Sequence, residues 1–267
     1  MAKSRVVVPK LEFDVACNEI VEFIKKVVDD SKCVGVVLGL SGGVDSSLVA
    51  ALCVKALGSQ RVLGVLMPTD FTPRKDMEDA LELARWLKIQ TKTVNVQAIS
   101  DVFSEALGND QGEPERRIPM ANVLARIRMI ILYYYANLKN YLVVGTGDRS
   151  ESLIGYFTKY GDGGADLMPI CHLYKTQVRE LAVHLDVPQS IAFKPSSPQL
   201  YPGHEATDEI PINYERLDPV LVGLFDLNLP PEEVSSLTKV QVDIVKEVQQ
   251  RFIRTMHKRA YPPKIRG

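Results

Sequence analysis

Apolar and polar positions along the chain follow two alternating periods, which predict helices and strands in turn. Apolar residues recur at helical spacing over residues 11–30, whereas residues 33–40 form a continuous apolar run. The first pattern is typical of an amphipathic helix, and the second of a strand that is buried on both faces. A helix over residues 46–57 with Gly58 as its C-cap, and a second strand over residues 61–67, follow along the chain.

The alternation continues through the middle of the chain. Thr72 and Pro73 predict a helix start, with Thr72 as the N-cap and Pro73 at the first helical position. Strands are predicted over residues 91–96 and 141–146, with a long apolar helix over residues 118–136 between them. This order of elements predicts an α/β fold, a doubly wound parallel sheet with helices on both faces.

The position of a ligand site follows from such a sheet. Ligands bind outside the carboxyl ends of its strands. The loops after Leu40, Met67 and Thr146 are therefore expected to meet at one site.

Composition and charge exclude several classes of protein. The 267 residues include 32 Lys and Arg against 33 Asp and Glu. The chain therefore lacks the excess of basic residues that would indicate a nucleic acid as its partner. Arg126 and Arg128 interrupt the most apolar stretch, which argues against a membrane span. The four cysteines are widely spaced without a Cys-x-x-Cys pair, so neither a disulfide framework nor a zinc site is indicated. We expect a cytoplasmic protein.

The helix predicted over residues 118–136 is apolar nearly all round, which means burial on most of its sides. A subunit interface is one way to bury it, and we therefore expect a homodimer. Asn122 and Arg126 share one face of this helix at i,i+4 spacing, whereas Arg128 is expected to point elsewhere.

A glycine- and serine-rich string stands where the first buried strand turns into a helix. Adjacent glycines let the backbone approach a ligand closely, and the free N–H groups of the turn and of the helix start form an anion site. The string lacks the Lys-Ser or Lys-Thr of a Walker loop and is not a GxGxxG fingerprint. Its aspartate makes sense beside phosphates if a divalent cation bridges them. The string consists of Gly39, Leu40, Ser41, Gly42, Gly43, Val44, Asp45, Ser46 and Ser47.

Two further groups of residues follow the strand that ends near Thr146. Asp148 and Glu151 are placed in the first turn of a helix, where Glu151 is a hard oxygen ligand near the same sheet edge as Asp45. The loop over residues 155–166 contains four glycines, three aromatic residues, a lysine and two aspartates. Its aromatic rings are suited to stacking on a flat ligand and its charged groups to fixing polar atoms around it.

These motifs resemble those of a known family. SGGVDSS resembles the pyrophosphate-binding loop of the N-type ATP pyrophosphatases, which adenylate a substrate and release pyrophosphate. GYFTKYGDGGAD with the preceding NVLARIRM is similar to the NAD synthetase family, over most of the chain. The resemblance implies an adenine nucleotide alpha hydrolase-like, Rossmann-like domain over residues 1–267 without a glutaminase domain. It also implies amidation of nicotinic acid adenine dinucleotide (deamido-NAD) with ammonia, ATP and Mg²⁺, through an adenylate.

The resemblance also implies a role for individual residues. Mg²⁺ would be held by Asp45 and Glu151, and Lys175 would act with Asp45 in catalysis by reaching the α-phosphate. ATP would be bound by the string of residues 39–47 together with Thr146, Lys175 and Ser197. The deamido dinucleotide would be bound by Arg126, Tyr156, Lys159, Asp162, Asp166, His257 and Lys258.

Other interpretations stay open at this point. A tRNA-thiolating enzyme or a GMP-synthetase-like fragment would share the loop, but a tRNA modifier is expected to add a cysteine pair and a basic RNA-binding module. A nucleotide-binding sensor would share it as well, without needing Asp45, Glu151 and Lys175 together. Taken singly, Lys175 is compatible with a solvated helix lysine and Arg126 with a buried ion pair.

Overall fold

The computed structural model describes residues 5–108, 114–204 and 209–265. Within these ranges four parallel strands form one sheet in the order β3–β2–β1–β4, so the predicted parallel α/β sheet is confirmed. Chain order reverses between β1 and β4, which makes their carboxyl ends the switch point where ligands bind in such sheets. The strands are β1 (Gly35–Gly39), β2 (Val62–Leu66), β3 (Gln90–Thr93) and β4 (Tyr141–Val143).

Helices surround this sheet and continue beyond it. The helix α9 runs on into a π-helical turn over Val222–Asp226. The helices are α1 (Phe13–Ser31), α2 (Val44–Leu57), α3 (Arg74–Trp86), α4 (Gln97–Ala106), α5 (Pro114–Lys139), α6 (Arg149–Ile154), α7 (Lys175–His184), α8 (Gln189–Ala192), α9 (Tyr214–Leu221), α10 (Pro231–Thr238), α11 (Val242–Arg254) and α12 (Met256–Arg259).

The two faces of the sheet are covered by different helices, because successive residues of a strand point to opposite faces. In β1, Val36 and Leu38 pack with the buried side chains of α1, α2 and α7. Val37 packs on the other face with Val143 of β4 and with α5. The predicted covering of both faces is therefore confirmed. The helices α9, α10 and α11 enclose a cluster of their own beside the sheet.

The predicted boundaries hold to within a few residues, with two corrections. Pro73 is the N-cap of α3 and Arg74 its first residue, so the assignment of Thr72 as N-cap was wrong. The Thr72 hydroxyl oxygen instead accepts a hydrogen bond from Thr69 N at 2.9 Å, inside the preceding turn. The strand predicted to reach Thr146 ends at Val143, since Val144 forms only an isolated bridge to Leu167.

The glycine predicted to cap α2 does so. Gly58 has φ +80°, and its N–H donates to Val54 O at 2.8 Å.

Within the described ranges, no helix combines the length and the apolar character needed to cross a membrane.

Candidate active site

A cavity of about 400 Å³ lies at the carboxyl ends of the central strands. Leu40 after β1, Met67 after β2 and Thr146 after β4 all line it, which confirms that the three loops meet. The remaining walls come from α5, from the loop over residues 155–164 and from the segment over residues 194–200. Parallel strands bring these side chains together because they all end at the same edge of the sheet.

The turn between β1 and α2 forms the floor of the cavity, with Gly43 as the extended N-cap of α2. Gly42 has φ +77°, and a Cβ atom built there would lie 2.2 Å from Asp76 O. Backbone in this left-handed region favours glycine, and the contact with a backbone atom leaves no space for a side chain. The N-terminus of α3 therefore sets how the turn is shaped.

The three serines of the turn differ in what their hydroxyls do. Ser47 is fully buried and donates to Gly43 O at 2.8 Å, so it holds the turn and does not line the cavity. Ser41 and Ser46 do line it, with their hydroxyl oxygens 3.0 Å apart. Of the predicted ATP-binding string, residues 39–41 and 43–46 thus border the cavity, while Gly42 and Ser47 support them.

An ion cluster lies beside this turn. The Lys175 ammonium, fully buried, is 2.7 Å from Asp45 and 2.9 Å from both Asp148 and Glu151. Burial opposes the charge on Lys175, but the three carboxylates raise its pKa well above the usual range. Burial also raises the pKa of Asp148, to about 6, and that of Glu151. Lys175 lies behind Asp45 and does not line the cavity, so its contact with an α-phosphate stays a prediction.

The predicted first turn after Thr146 is confirmed as a capping box at the start of α6. Asp148 accepts from Glu151 N at 2.8 Å, and Glu151 Oε2 lies 3.4 Å from Asp148 N. This spacing of three residues is what directs Glu151 back to the strand ends. Asp218, which the sequence did not reveal, braces the same region: it accepts from Ser150 Oγ at 2.6 Å and from Thr176 N at 2.9 Å.

Two carboxylates of this cluster are of the type that binds Mg²⁺ together with substrate phosphates. Asp45 and Glu151 line the cavity, with side chains 22% and 20% exposed. Asp148 Oδ2 is fully buried and lies 2.9 Å from Lys175 Nζ, so three carboxylates share one ammonium. Among the described residues, no group of three or more His, Cys, Asp or Glu side chains has metal-binding geometry. Two carboxylates suffice for Mg²⁺ when substrate phosphates supply further oxygens.

The loop over residues 155–164 brings some of the predicted substrate residues to the cavity. Tyr156 and Asp162 both line it. Asp162 Oδ1 accepts from Thr158 N at 2.8 Å, which closes the loop on itself. Thr158 Oγ1 in turn donates to Asn122 of α5 at 2.6 Å. The loop is thus fixed against the long helix, with an aromatic ring and a carboxylate on the cavity side.

The other predicted substrate residues lie mostly outside the cavity. The Arg126 guanidinium donates to Lys159 O at 3.3 Å, and Lys159 Nζ donates to His257 O at 2.7 Å, which links the half-buried Lys159 to two exposed residues. The Asp166 carboxylate accepts a hydrogen bond from the N–H of Val143, the last residue of β4, at 2.7 Å. Lys258 alone among this group lines the cavity, and it donates to two carbonyl oxygens of the 155–164 loop.

Arg128 is a cavity residue to which the sequence analysis gave no role. It lines the cavity and donates to Met67 O and Gln199 O, each at 3.3 Å. Burial lowers the pKa of Arg128 to about 10. A helix that is apolar nearly all round has no polar face that indicates its orientation, and Arg126 was assigned through the family resemblance alone. Thr146 and Ser197 line the cavity as predicted.

Together the sheet, the glycine turn at its first strand and the acidic pair beside it define a nucleotide-binding α/β protein of the adenine nucleotide alpha hydrolase-like, Rossmann-like class. Comparison with known proteins narrows this class. The family model described as NAD synthase matches residues 16–262. The chain therefore belongs to the NAD synthase family.

Individual relatives agree with this assignment. The chain is 48% identical to an NH₃-dependent NAD⁺ synthetase of Staphylothermus marinus, over 95% of this chain and 91% of the relative. It is 49% identical to that of Pyrobaculum aerophilum, over 96% and 95%. Among solved structures, an NMN synthetase from Francisella tularensis superposes with a TM-score of 0.83 at 31% identity, covering 96% of this chain and 99% of that one. An NH₃-dependent NAD synthetase from Campylobacter jejuni gives 0.79 at 31% identity, covering 96% and 100%.

Proposed function

We propose that this protein is a ligase that amidates nicotinic acid adenine dinucleotide to NAD, with ammonia as the nitrogen donor and ATP as the activating substrate. One observation supports this most directly. The glycine–serine turn, the Asp45–Glu151 pair and the Tyr156 loop face one cavity. A phosphate site, a cation site and an aromatic wall are therefore within reach of a single pair of bound nucleotides.

In this proposal the nicotinate carboxylate attacks the α-phosphorus of ATP. The bond from the α-phosphorus to the bridging oxygen breaks, pyrophosphate leaves, and a mixed anhydride with AMP remains. Ammonia then attacks the acyl carbon, loses a proton and expels AMP as the amide forms. The backbone N–H groups of the turn and the N-terminus of α2 hold the phosphate oxygens throughout.

Lys175 has two tasks in this scheme. Its ammonium holds the carboxylates of Asp45 and Glu151 in place, at 2.7 and 2.9 Å. When ATP binds, it exchanges Asp45 for an oxygen of the α-phosphate, which the flexible four-carbon stem of lysine permits. Asp45 and Glu151 would then hold Mg²⁺. When bound by these two residues, Mg²⁺ would supply neutralising charge for the pyrophosphate.

The deamido dinucleotide extends beyond the cavity in this proposal. A volume of about 400 Å³ is that of a site for one ligand of drug size, and ATP with a dinucleotide is larger. Tyr156 and Asp162 would receive the nicotinate end. The basic residues Arg126, Lys159 and His257, which lie outside the cavity, would meet the outer part of the dinucleotide.

We further propose that the protein is a homodimer. Ile130, Tyr134 and Leu138 of α5 are 58%, 60% and 64% exposed and recur at intervals of four, so they form one apolar stripe. Such a stripe is suited to the same stripe of a second copy across a two-fold axis. A cytoplasmic location belongs to the same proposal, and it is supported by the four cysteines, none of which is paired in a disulfide.

The test combines purified protein with ATP, Mg²⁺, deamido-NAD and ammonium, and follows NAD by coupled reduction together with AMP. We expect equal amounts of NAD and AMP, loss of both in Asp45→Ala and on chelation of Mg²⁺, and full activity in Asp29→Ala. Asp29 is an exposed aspartate of α1, away from the cavity, and is the matched control. AMP release without NAD would refute the proposed substrate, and no AMP release would refute the proposed reaction.

A second substrate is tested in the same assay. The similarity to an NMN synthetase structure favours nicotinic acid mononucleotide as the alternative acceptor. The mononucleotide lacks the outer nucleotide that Arg126, Lys159 and His257 would meet. We therefore expect a higher kcat/KM for the dinucleotide, and Lys159→Met to lower that preference. A higher kcat/KM for the mononucleotide in the unmodified protein would reverse the assignment.

A further inference from the structure

We infer that Lys194 is a positioning residue for ATP, because it fastens the segment over residues 194–199 to the back of the phosphate-binding turn. The inference rests on the proposed use of ATP at this turn, but its main test measures binding and not turnover. Lys194 was not among the residues suggested by any sequence motif.

The Lys194 ammonium is held by three groups. It donates to Gly42 O at 3.0 Å and to Asp76 Oδ1 at 2.8 Å, and it also donates to Asp79. The two carboxylates belong to one face of α3, at spacing i,i+3, and the carbonyl belongs to the turn. Its side chain is 20% exposed, and hydrogen bonds that involve charged groups in such partly dry surroundings are about twice as strong as neutral ones.

A second contact reinforces the first. Gln199, at the other end of the segment, donates its side-chain amide to Asp76, and the same nitrogen lies 3.5 Å from Ser41 O. Asp76 therefore receives both ends of the segment. The carbonyl groups of two successive turn residues, Ser41 and Gly42, each face a donor from it.

Holding these carbonyls has a consequence for the ligand side of the turn. A peptide unit is planar, with its C=O and its N–H pointing in opposite directions. Fixing the oxygen of Gly42 thus fixes the direction of the Gly43 N–H, which in this structure donates to Ser41 Oγ at 3.2 Å. Fixing the oxygen of Ser41 does the same for the Gly42 N–H. An anion site built from backbone N–H groups gains its strength from such preorganisation.

The same contacts place the segment itself. Ser197, three residues after Lys194, lines the cavity that Ser41 and Gly43 also line. When the lysine is fastened to the turn, the serine is held at the same cavity. Lys194 itself borders the cavity, but its ammonium is taken up by Gly42 O, Asp76 and Asp79, so it positions two parts of the ATP site through these contacts.

The test measures the affinity for a non-hydrolysable ATP analogue with Mg²⁺ by calorimetry, and the KM for ATP and for deamido-NAD separately. In Lys194→Ala we expect the dissociation constant of the analogue and the KM for ATP to rise at least about tenfold, equivalent to about 1.4 kcal/mol. The KM for deamido-NAD should change less than about twofold. Lys194→Arg should recover part of the affinity, since a guanidinium still donates to carboxylates.

The matched control is Lys75→Ala. Lys75 forms an ion pair with the same carboxylate, Asp79, at 2.8 Å, but from the solvent side, with its side chain 67% exposed. Gln199→Asn is a second variant that leaves no charge unpaired, and Asn tolerates the φ of +51° at this position while its shorter side chain falls short of Asp76. We expect Lys75→Ala to bind the analogue as the unmodified protein does and Gln199→Asn to bind it several-fold more weakly.

Each result decides the question. Unchanged affinity for the analogue in Lys194→Ala would overturn the inference, as would equal losses in Lys194→Ala and Lys75→Ala, because the effect would then lie in Asp79 alone. If Lys194→Ala does not fold, Gln199→Asn decides, and unchanged affinity there overturns the inference. Failure of the proposed function would instead appear as an unmodified protein that binds the analogue but forms no NAD.

Discussion

Replacement of Gly42 by alanine tests whether the shape of the turn is set by the packing of α3. The left-handed φ of +77° costs a non-glycine residue about 1–2 kcal/mol. The new methyl group would also lie 2.2 Å from Asp76 O, so restoring an ordinary contact of 3.4 Å requires a shift of about 1.2 Å. That oxygen is a backbone atom of α3, so the turn has to move instead.

A displacement of this size has a calculable effect on catalysis. A misplacement of about 1 Å in a positioned group lowers activity by about a hundredfold. For Gly42→Ala we therefore expect kcat/KM for ATP to fall by about a hundredfold and the free energy of unfolding, from urea titration, to fall by more than about 2 kcal/mol. The activity should fall by far more than a general loss of stability explains, because most molecules stay folded.

Gly108→Ala separates the two costs. Gly108 also has a positive φ, +59°, but no heavy atom of the described residues lies within 4 Å of a Cβ built there. This variant should show the dihedral cost of about 1 kcal/mol and unchanged kcat/KM. The reasoning is refuted if Gly42→Ala keeps its kcat/KM, or if the two variants lose the same free energy of unfolding.

Three further substitutions test other parts of the structure. Asp218→Ala removes the carboxylate that accepts hydrogen bonds from α6 and α7. The buried donors left without an acceptor should lower the free energy of unfolding by about 3 kcal/mol. A loss below about 1 kcal/mol in urea titration would contradict this. Leu138→Glu places a charge in the exposed stripe of α5 and should halve the mass measured by light scattering, whereas equal masses before and after would argue against the dimer. Lys258→Met removes a cation that donates to the carbonyl oxygen of Phe157, and it should raise the KM for deamido-NAD several-fold without changing the KM for ATP. The control is Lys264→Met, at an exposed lysine.

Much of the fold was predictable because it rests on local signals. A strand buried on both faces has to be continuously apolar, so β1 and β2 were evident from composition alone. The turn at the site was equally evident. The left-handed backbone of Gly42 favours glycine, and an acidic residue close to phosphates indicates a cation between them. The spacing of Asp148 and Glu151 likewise predicted a helix start, which the capping box confirms.

The apolar helix α5 marks where local signals end. Its pattern predicted burial on most sides, but it did not tell which arginine faces the cavity, and the structure selects Arg128 over Arg126. The choice depends on how α5 is rotated against β1 and β4, which is decided by packing and not by the helix itself. The same holds for Lys175, whose place behind Asp45 depends on where α7 begins relative to β1.

By itself, then, the sequence determined the order of the elements, the position of the glycine-rich turn and the residue types that an enzyme activating a carboxylate with ATP needs. Only the tertiary structure decided which of those residues share a cavity and what supports them. Asp218 and Lys194 show why: each acts through partners more than 25 residues away in the chain. Contacts between distant segments leave no periodic trace in a sequence, because they depend on how whole helices pack together.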